Sequence, residues 1–390
     1  MTPAARQSAA IDLLDRILAG EAAEAALTRW ARGARYAGSG DREAVRDWVY
    51  RALRQRRSAL AWSGQCSETG RALILGLLGM DGQGPEGWTG THHAPAPPTT
   101  AEADAPIDPP AMSRAVAGDV PDWLLPLFDA ALGAQADAVL ARMRDRAPVF
   151  LRLHARRADH AAVIVELADA GIEARPHPLS PHALELSGAT RRLKATAAFT
   201  DGRVELQDAA SQAVVDAVAA QVPTGARVLD FCAGGGGKAL ALAALGFRVT
   251  AHDIDPQRMR DLPARADRAG DRIELATAPT GLWDCVLVDA PCSGSGSWRR
   301  TPEAKWRLTP DRLDELQATQ DRILRQAAGL VAPGGLLSYA TCSLFREENE
   351  ARIETFCQQL PQWEVLSQWR WTSLDGGDGF FLSLLRHPGP

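Results

Sequence analysis

Two cysteines each follow an apolar segment that has the composition of a buried strand. Cys292 follows the run Leu287–Pro291, and Cys342 follows the run Leu336–Thr341. Ligands of open α/β sheets bind beyond the carboxyl ends of the strands, so cysteines at this position favour a chemical role over packing. A thiolate is the appropriate nucleophile for an electron-poor ring, provided that its surroundings lower its pKa. The pattern therefore predicts thiol chemistry at the edge of a sheet.

A glycine-rich turn follows an earlier apolar segment, Val228–Phe231. The turn consists of Cys232, Ala233, Gly234, Gly235, Gly236, Gly237 and Lys238. Glycines let the backbone approach a ligand closely, and the start of the following helix offers free N–H groups. Lys238 adds a charge suited to a carboxylate or a phosphate. The spacing matches neither the P-loop nor the dinucleotide fingerprint, so it predicts a nucleotide-like ligand, with a tight structural turn as the alternative.

Two acidic residues end strand-like segments near these motifs. Asp253 follows the next apolar segment, Arg248–Ala251, where a carboxylate can accept hydrogen bonds from both hydroxyls of a ribose. An acid at a strand end is more often a helix cap, but the glycine-rich turn one βα unit upstream favours ligand binding. Asp289 ends the segment that precedes Cys292.

Strand-like and helical segments alternate from about residue 207 to residue 390. Short apolar runs typical of buried parallel strands are Arg227–Phe231, Arg248–Ala251, Cys285–Val288 and Leu336–Tyr339, and Pro310–Leu330 is helical in pattern. This alternation predicts an α/β fold, a doubly wound Rossmann-like sheet with helices on both faces.

The rest of the chain divides into three regions by pattern. Residues 1–79 show helical spacing of apolar residues, and residues 80–120 are rich in proline and glycine, which predicts a partly disordered linker. Residues 121–206 predict a helix followed by a small α/β domain, in which Val149–Leu153 alternates as a strand.

Composition bounds the class of protein. The 390 residues carry a net charge of −5, which counts mildly against nucleic acid as a partner, although arginines cluster at residues 51–57, 191–194 and 299–307. No C-x-x-C pair occurs, so we expect no metal site. The N-terminus lacks a signal-peptide core, and no apolar run approaches the roughly 18 residues of a membrane span. We therefore expect a cytoplasmic location and no membrane partner. We also expect a monomer.

Taken together, the motifs resemble the RsmB/Sun-type family of RNA cytosine-5 methyltransferases. The segments that carry the resemblance are Gln207–Gln212, Cys232–Lys238, Asp289–Gly294, Arg299–Trp306, Tyr339–Ser343 and Asp378–Phe381. The resemblance implies a class I methyltransferase domain over residues 207–390. Residues 148–206 resemble the small RNA-facing domain that precedes it, and residues 1–79 resemble a short NusB-like RNA-binding domain.

The resemblance also implies a mechanism. It identifies Cys342 as the thiolate that attacks carbon 6 of cytosine, after which carbon 5 takes a methyl group from S-adenosylmethionine. Cys292 would assist release by β-elimination, and Asp289 would hydrogen-bond the cytosine ring, with Lys238 close to the chemistry. Cofactor contacts would come from the glycine-rich turn, Asp253 and Asp289. The expected partner is RNA, with small-subunit ribosomal RNA favoured and transfer RNA as the alternative.

The sequence departs from the family pattern at two places. Gly234 and Gly235 replace the usual alanine and proline, and Ala239 replaces threonine, which predicts a more flexible loop. Thr277 occupies the position of an acid that contacts adenine, so we expect weaker cofactor binding. Arg258 is interpreted as a surface arginine.

Three other functions compete with this interpretation. The weakened cofactor features favour a non-catalytic RNA-binding or ribosome-assembly protein, but both cysteines, Asp289 and Lys238 are present. A dehydrogenase would not need two cysteines and would follow the dinucleotide fingerprint. DNA cytosine-5 methyltransferases share the chemistry but lack the second, Thr-Cys cysteine.

Overall fold

The computed structural model describes residues 1–91, 93–103 and 110–389. The described residues form two compact units. The first comprises residues 1–146 together with 298–307, and the second comprises residues 147–297 together with the chain from 308 onward.

The first unit is helical, which confirms the helical character predicted for the N-terminal region. Thr2 accepts a hydrogen bond from the Ala5 N–H at 3.1 Å and Pro3 occupies the first turn, so the sequence itself starts the first helix. Its helices are α1 Pro3–Leu18, α2 Ala23–Gly33, α3 Ser39–Arg54, α4 Arg56–Ser63, α5 Gly70–Met80, α6 Thr100–Ala103, α7 Arg114–Ala117, α8 Leu125–Leu132, α9 Ala136–Met143 and, later in the chain, α15 Pro302–Arg307. The apolar faces of α1, α3 and α5 form its core.

The segment predicted as a linker is partly packed into this unit. Trp88 is only 4% exposed, lies in the helical core and donates its indole N–H to Gln7 Oε1 at 2.7 Å. The Arg71 guanidinium stacks on the same ring at 4.6 Å. The linker prediction is therefore wrong around Trp88, because one large aromatic side chain buries enough surface to fix a segment without any hydrophobic period. Residues 92 and 104–109, on which the prediction of disorder also falls, lie outside the described residues.

Residues 122–143 are long and apolar enough to cross a membrane by length and composition alone, which is weak evidence. In the structure they form α8 and α9, each preceded by a short 3-10 turn. Asp129 and Asp137 both form ion pairs of 2.6 Å with Arg114. These helices belong to the first unit, whereas the sequence analysis grouped them with the small α/β domain.

The second unit begins with a small antiparallel sheet in the order β2-β3-β1-β4. Its elements are β1 Val149–Leu153, α10 His160–Asp169, β2 Ile172–Pro176, β3 Ala183–Gly188, α11 Ala197–Thr200 and β4 Val204–Leu206. Asp159 caps α10, accepting hydrogen bonds from the Ala161 and Ala162 N–H groups at 3.0 and 3.2 Å. Gly171 follows with a φ of +76°, which favours glycine at the end of that helix.

A larger sheet completes the unit, and the described strands run in the order β10-β11-β9-β8-β5-β6-β7. Its elements are α12 Ala209–Ala219, β5 Arg227–Asp230, α13 Gly237–Ala244, β6 Arg248–Ala251, α14 Leu262–Ala269, β7 Ile273–Leu275, β8 Trp283–Asp289, α16 Pro310–Ala328, β9 Val331–Thr341, α17 Glu350–Gln359, β10 Glu364–Trp371 and β11 Phe380–Arg386. The pairs β5–β6, β6–β7, β5–β8 and β8–β9 are parallel, and β11 pairs antiparallel with both β9 and β10. The predicted Rossmann-like α/β fold is confirmed.

The strand order reverses at the centre of this sheet. From β5 the chain moves outward through β6 and β7, then returns to add β8 and β9 on the other side. A crevice forms beyond the carboxyl ends of the strands where such an order reverses, which here lies between β5 and β8. The glycine-rich turn follows β5 and the Cys292 loop follows β8, so the fold places both beside that crevice.

Candidate active site

The structure brings the two cysteines together. The Sγ atoms of Cys292 and Cys342 lie 3.4 Å apart, and both residues are half-buried. They follow adjacent parallel strands, with Asp289 of β8 opposite Ala340 of β9, so loops of similar length carry both sulfurs to the same place. Two loops 50 residues apart in sequence thus build one dithiol site.

The two sulfurs share a hydrogen bond. The hydrogen bond with Cys342, together with burial, raises the pKa of Cys292 well above its usual range. Cys292 is therefore a neutral thiol at neutral pH and can donate its S–H to the Cys342 sulfur.

An ion pair between buried Lys238 and half-buried Asp289 lies beside the cysteines. Lys238 Nζ donates to Asp289 Oδ2 at 2.7 Å and sits 4.9 Å from the centre of the Phe380 ring. Burial alone would lower the pKa of Lys238, but the charges of Asp289, Asp230 and Cys342 outweigh burial and raise it. Lys238 is therefore a cation at neutral pH, and it joins the end of β8 to the start of α13.

The glycine-rich turn is held at its edge by Asp253. Its buried carboxylate accepts hydrogen bonds from the Gly234 N–H at 2.8 Å and from Arg258 Nη1 at 3.2 Å. Gly234 has a φ of +54°, and Gly236 has a φ of +77° where a Cβ atom would lie 2.4 Å from the side chain of Leu262. Glycine is thus required at both positions by conformation and, at Gly236, by space.

The remaining turn residues are anchored through their backbone. The Ala233 N–H donates to the His252 carbonyl at 2.8 Å, and the Gly237 carbonyl accepts from Arg152 at 2.8 Å. Gly235 offers its carbonyl to Arg265. Cys232 is a third cysteine that follows a strand. Burial raises the pKa of its thiol, so Cys232 is not a thiolate at neutral pH.

Arg258 has more contact with the site than the sequence analysis expected. Its side chain is 57% exposed, as a surface arginine should be, yet it forms an ion pair with Asp253. Its guanidinium also lies 3.1 Å from the position that a Cβ atom on Gly234 would occupy. Arg258 therefore borders the glycine-rich turn.

Thr277 lies just beyond β7 and is exposed. The preceding residue, Ala276, donates its N–H to the Ala251 carbonyl and accepts from His252 Nδ1, each at 2.9 Å. These bonds hold Thr277 near the strand end that carries Asp253, but the side chain supplies a hydroxyl where the family has an acid.

Sequence reasoning missed Asp230, the last residue of β5. Its carboxyl group is 1% exposed, and neither oxygen has a hydrogen-bond partner of standard geometry among the described residues. Burial, followed by the charge of Asp289, raises the pKa of Asp230 to about 7. An acid at the end of the strand that leads into the glycine-rich turn was the signal available in the sequence.

Sequence reasoning also missed the group that supports the cysteine loops. Glu348 is fully buried behind them and accepts a hydrogen bond from the Ser293 N–H at 2.8 Å. It also accepts from the hydroxyls of Ser293 and Ser343 at 2.5 Å each, and from Gln320 Nε2 at 3.0 Å. Because Ser293 follows Cys292 and Ser343 follows Cys342, one carboxylate ties both loops together.

Asn349 extends this support. It accepts a hydrogen bond from Thr341 Oγ1 at 2.5 Å and donates to the Ser343 carbonyl at 2.9 Å, so it fixes both neighbours of Cys342. The Tyr339 hydroxyl donates to the Glu348 carbonyl at 2.7 Å. The sequence Glu347–Glu350 is a run of polar residues, and nothing in its pattern indicates burial.

Comparisons with known proteins decide the family. A sequence model described as 16S rRNA methyltransferase RsmB/F matches residues 217–386, and the ferredoxin-like domain of RsmF/B-like methyltransferases matches residues 120–191. A ribosomal RNA small subunit methyltransferase B from Xylella fastidiosa is 35% identical over 288 residues, which cover 68% of each chain. The chain belongs to the RsmB/F family.

Other RsmB/F relatives are less completely covered. A ribosomal RNA small subunit methyltransferase B from Xanthomonas campestris is 36% identical over 63% of this chain but only 59% of its own length. The chain thus spans about three fifths to two thirds of the curated relatives it matches. Among solved structures, PH0851 is similar over 99% of both chains, with a TM-score of 0.79 and 22% identity, which bears on the fold alone. A methyltransferase homologue from Pyrococcus horikoshii aligns with a TM-score of 0.61 and 23% identity over 70% of this chain.

Proposed function

We propose that the protein methylates carbon 5 of a cytosine in RNA, with small-subunit ribosomal RNA as the substrate and Cys342 as the nucleophile. The observation that carries this proposal is the contact of 3.4 Å between the sulfurs of Cys292 and Cys342. A packing role does not explain two cysteines that meet at the crevice of the sheet beside the Lys238–Asp289 ion pair.

The proposed chemistry assigns opposite tasks to the two sulfurs. The Cys342 thiolate forms a bond to carbon 6, which makes carbon 5 nucleophilic and able to take the methyl group. Asp289, at the crevice, accepts hydrogen bonds from the ring and stabilises the charge that develops during attack. Lys238 holds that carboxylate in place.

Release then requires two proton transfers. Cys292 first loses its thiol proton to solvent, and the resulting thiolate takes the proton from carbon 5. The electron pair of that C–H bond forms the double bond between carbons 5 and 6, so the bond from carbon 6 to sulfur breaks and Cys342 leaves as a thiolate. The raised pKa of Cys292 suits this role, because it makes the thiolate a stronger base and returns Cys292 as a thiol.

The residues of the crevice fit S-adenosylmethionine, which supplies the electrophilic methyl group when bound. The turn from Gly234 to Gly237 lets its backbone approach a ligand, and Asp253 retains acceptor capacity for ribose hydroxyls. The buried Asp230 carboxyl group, which has no hydrogen-bond partner of standard geometry among the described residues, suits an ammonium group such as that of the methionine moiety. Thr277 offers no carboxylate to the adenine, so weaker binding than in relatives with an acid remains our prediction.

Transfer RNA is the alternative substrate, and a non-catalytic role in ribosome assembly is the alternative function. A ribosomal substrate would place the protein in the cytoplasm. The names of the curated relatives favour ribosomal RNA, and the paired cysteines favour catalysis.

The test is methyl transfer from radiolabelled S-adenosylmethionine to RNA from a strain that lacks the gene, with ribosomal and transfer RNA assayed separately. We expect label in 5-methylcytosine of small-subunit ribosomal RNA, lost completely in Cys342→Ala. Cys292→Ala should instead accumulate a covalent protein–RNA adduct, visible as a retarded band on a denaturing gel. Cys357→Ala is the matched control, since that half-buried cysteine lies on α17 away from the pair.

Three outcomes would contradict the proposal. Activity retained in Cys342→Ala would remove the nucleophile, and label confined to transfer RNA would change the substrate. No transfer by the wild-type protein, together with no detectable cofactor binding by calorimetry, would favour the non-catalytic alternative.

A further inference from the structure

Three arginines lie side by side at the amino ends of the strands, on the edge of the large sheet opposite the cysteines. Arg227 of β5 pairs in register with Arg248 of β6. Val249 pairs with Ile273, so Arg272, the residue before β7, lies opposite Arg248. We call Arg227, Arg248 and Arg272 the arginine ladder. All three are exposed.

The ladder faces an open cavity of about 620 Å³. Parallel sheets are normally covered by helices on both faces, because each crossover between neighbouring strands carries one. Here residues 276–282 connect β7 to β8 without any helix, and Leu275 and Leu282 at the ends of this connection are 47% and 49% exposed. The short connection thus leaves this part of the sheet accessible to a partner.

The ladder carries positive charge that the protein does not neutralise. Among the described residues, none of its three guanidinium groups forms an ion pair. Arg227 stacks on the Trp283 ring at 4.5 Å, and Arg248 donates to the Gly225 carbonyl at 2.9 Å.

Three acids lie near the ladder. Asp284 accepts a hydrogen bond from the Arg227 backbone N–H at 2.8 Å but forms no ion pair with its guanidinium in the described structure. Asp271 is already paired with Arg156 at 2.8 Å and with His154 at 3.0 Å. Glu274 lines the cavity on β7 but is in contact with no ladder arginine within ion-pair distance in the described structure. Like charges directly opposite each other on neighbouring strands are destabilising, so an arrangement of three has a cost in stability that an anionic partner would offset.

We propose that the arginine ladder binds the phosphate backbone of the RNA substrate, away from the target base. Neighbouring strands lie about 4.8 Å apart, so the outer guanidinium groups can span about 10 Å, enough to contact more than one phosphate of a strand. Contacts of this kind position a nucleic acid without reading its sequence. In naming RNA as the partner, the inference rests on the function proposed above.

The test compares two variants with the same net charge. Arg227→Gln/Arg248→Gln/Arg272→Gln removes the ladder, and Arg312→Gln/Arg322→Gln/Arg325→Gln removes three exposed arginines of α16. Dissociation constants for small-subunit ribosomal RNA are measured by fluorescence anisotropy between about 50 and 200 mM salt. We expect the ladder variant to bind roughly tenfold or more weakly, with a salt slope smaller by about two to three, while the α16 variant keeps the wild-type slope.

Two additions keep the test decisive. Because Arg227 packs on Trp283, the double variant Arg248→Gln/Arg272→Gln covers the case in which the triple variant is unstable, and its slope should fall by about one to two. The α16 variant should keep the wild-type turnover number at saturating RNA, because its three arginines belong neither to the ladder nor to the candidate active site.

Equal slopes for the ladder and α16 variants would overturn the proposal. Binding is measured without methyl transfer, so the two proposals fail separately. A ladder-dependent slope without any 5-methylcytosine would reject the cytosine chemistry alone, whereas normal methylation with an unchanged slope would reject the ladder alone.

Discussion

Two buried carboxyl groups lie near the crevice of the same sheet, and they differ in the number of hydrogen bonds that they accept. Glu348, behind the cysteine loops, accepts four hydrogen bonds from Ser293, Ser343 and Gln320. Asp230, below the glycine-rich turn, accepts none of standard geometry from the described residues. Buried polar groups are normally satisfied, so an exception calls for an explanation. Under the proposed function, the chain alone fixes the loops that carry its two cysteines, whereas a bound ligand would complete the surroundings of Asp230.

The strongest way to break this comparison is to remove the satisfied carboxylate. Glu348→Ala leaves four donors without their acceptor and frees the loops that carry Cys292 and Cys342. We expect a loss of about 3 to 5 kcal/mol in the free energy of unfolding and a fall in kcat of roughly 100-fold, because small displacements of reacting groups are costly. Urea denaturation and single-turnover methyl transfer measure the two effects.

Two further variants separate positioning by Glu348 from general stability. Glu354→Ala removes an exposed glutamate of α17 and should change neither quantity by much. Glu348→Gln keeps the shape and most acceptor capacity, so it should restore much of kcat while KM for RNA stays constant throughout. A Glu348→Ala protein that is less stable but turns over at the wild-type rate would show that this carboxylate does not position the sulfurs.

The contrast between the two carboxylates also marks the limit of what the sequence predicts. The strands β5, β6, β8 and β9 were predicted because buried parallel strands are short, apolar runs with a distinct composition. The two cysteines were found because their residue type is unusual at a strand end. Both signals are local, so they can be read along the chain.

Glu348 and Asp230 could not be assigned in the same way. Glu348 lies in a run of acids that is typical of a solvated helix start, and only the packing of Ser293 and Ser343 against it makes it buried. The strands β10 and β11 were missed as well. Strand β10 is half-exposed and lacks a continuous apolar run, so its composition does not mark it as a buried strand. Trp88 is a third case, since its burial depends on helices distant in sequence.

A second prediction concerns the unsatisfied carboxylate and pH. The pKa of Asp230 is about 7 in the folded chain against 3.8 for the unfolded one, so the folded state holds its proton more tightly. Stability should therefore fall as pH rises from about 4 to about 7, and Asp230→Asn should remove this loss. We expect the variant to equal wild type near pH 4 and to be more stable by about 2 to 4 kcal/mol near pH 8.

Thermal denaturation across this pH range, with and without S-adenosylhomocysteine, is the measurement. If a ligand ammonium group satisfies Asp230, the ligand should stabilise the wild type more at about pH 8 than the asparagine variant. If the stability of the wild type and of Asp230→Asn depended on pH in the same way, ionising Asp230 would cost little folding free energy. Asp230 would then not differ from Glu348 in the way described above.

The smallest effect is expected in the glycine-rich turn itself, where two neighbouring glycines allow a matched test. Gly235 has no positive φ, and a Cβ atom there would meet Arg265 at an ordinary 3.6 Å. Gly235→Ala should stabilise the folded chain by about 0.4 to 1 kcal/mol, because alanine restricts the unfolded state. Gly234→Ala should do the reverse, since its φ of +54° disfavours a side chain and the Cβ atom would lie 3.1 Å from Arg258.

Isothermal titration with S-adenosylhomocysteine sharpens this pair. If flexibility of the turn limits cofactor binding, Gly235→Ala should tighten binding about two- to fivefold, within the range that a gain of 0.4 to 1 kcal/mol allows. Both variants leave Glu348 and the cysteine loops untouched, so single-turnover rates at saturating cofactor should stay at the wild-type value for Gly235→Ala. If Gly234→Ala instead bound S-adenosylhomocysteine more tightly, Gly234 would have its left-handed conformation only in the ligand-free turn. The ligand would then bind a turn in which residue 234 has another backbone conformation.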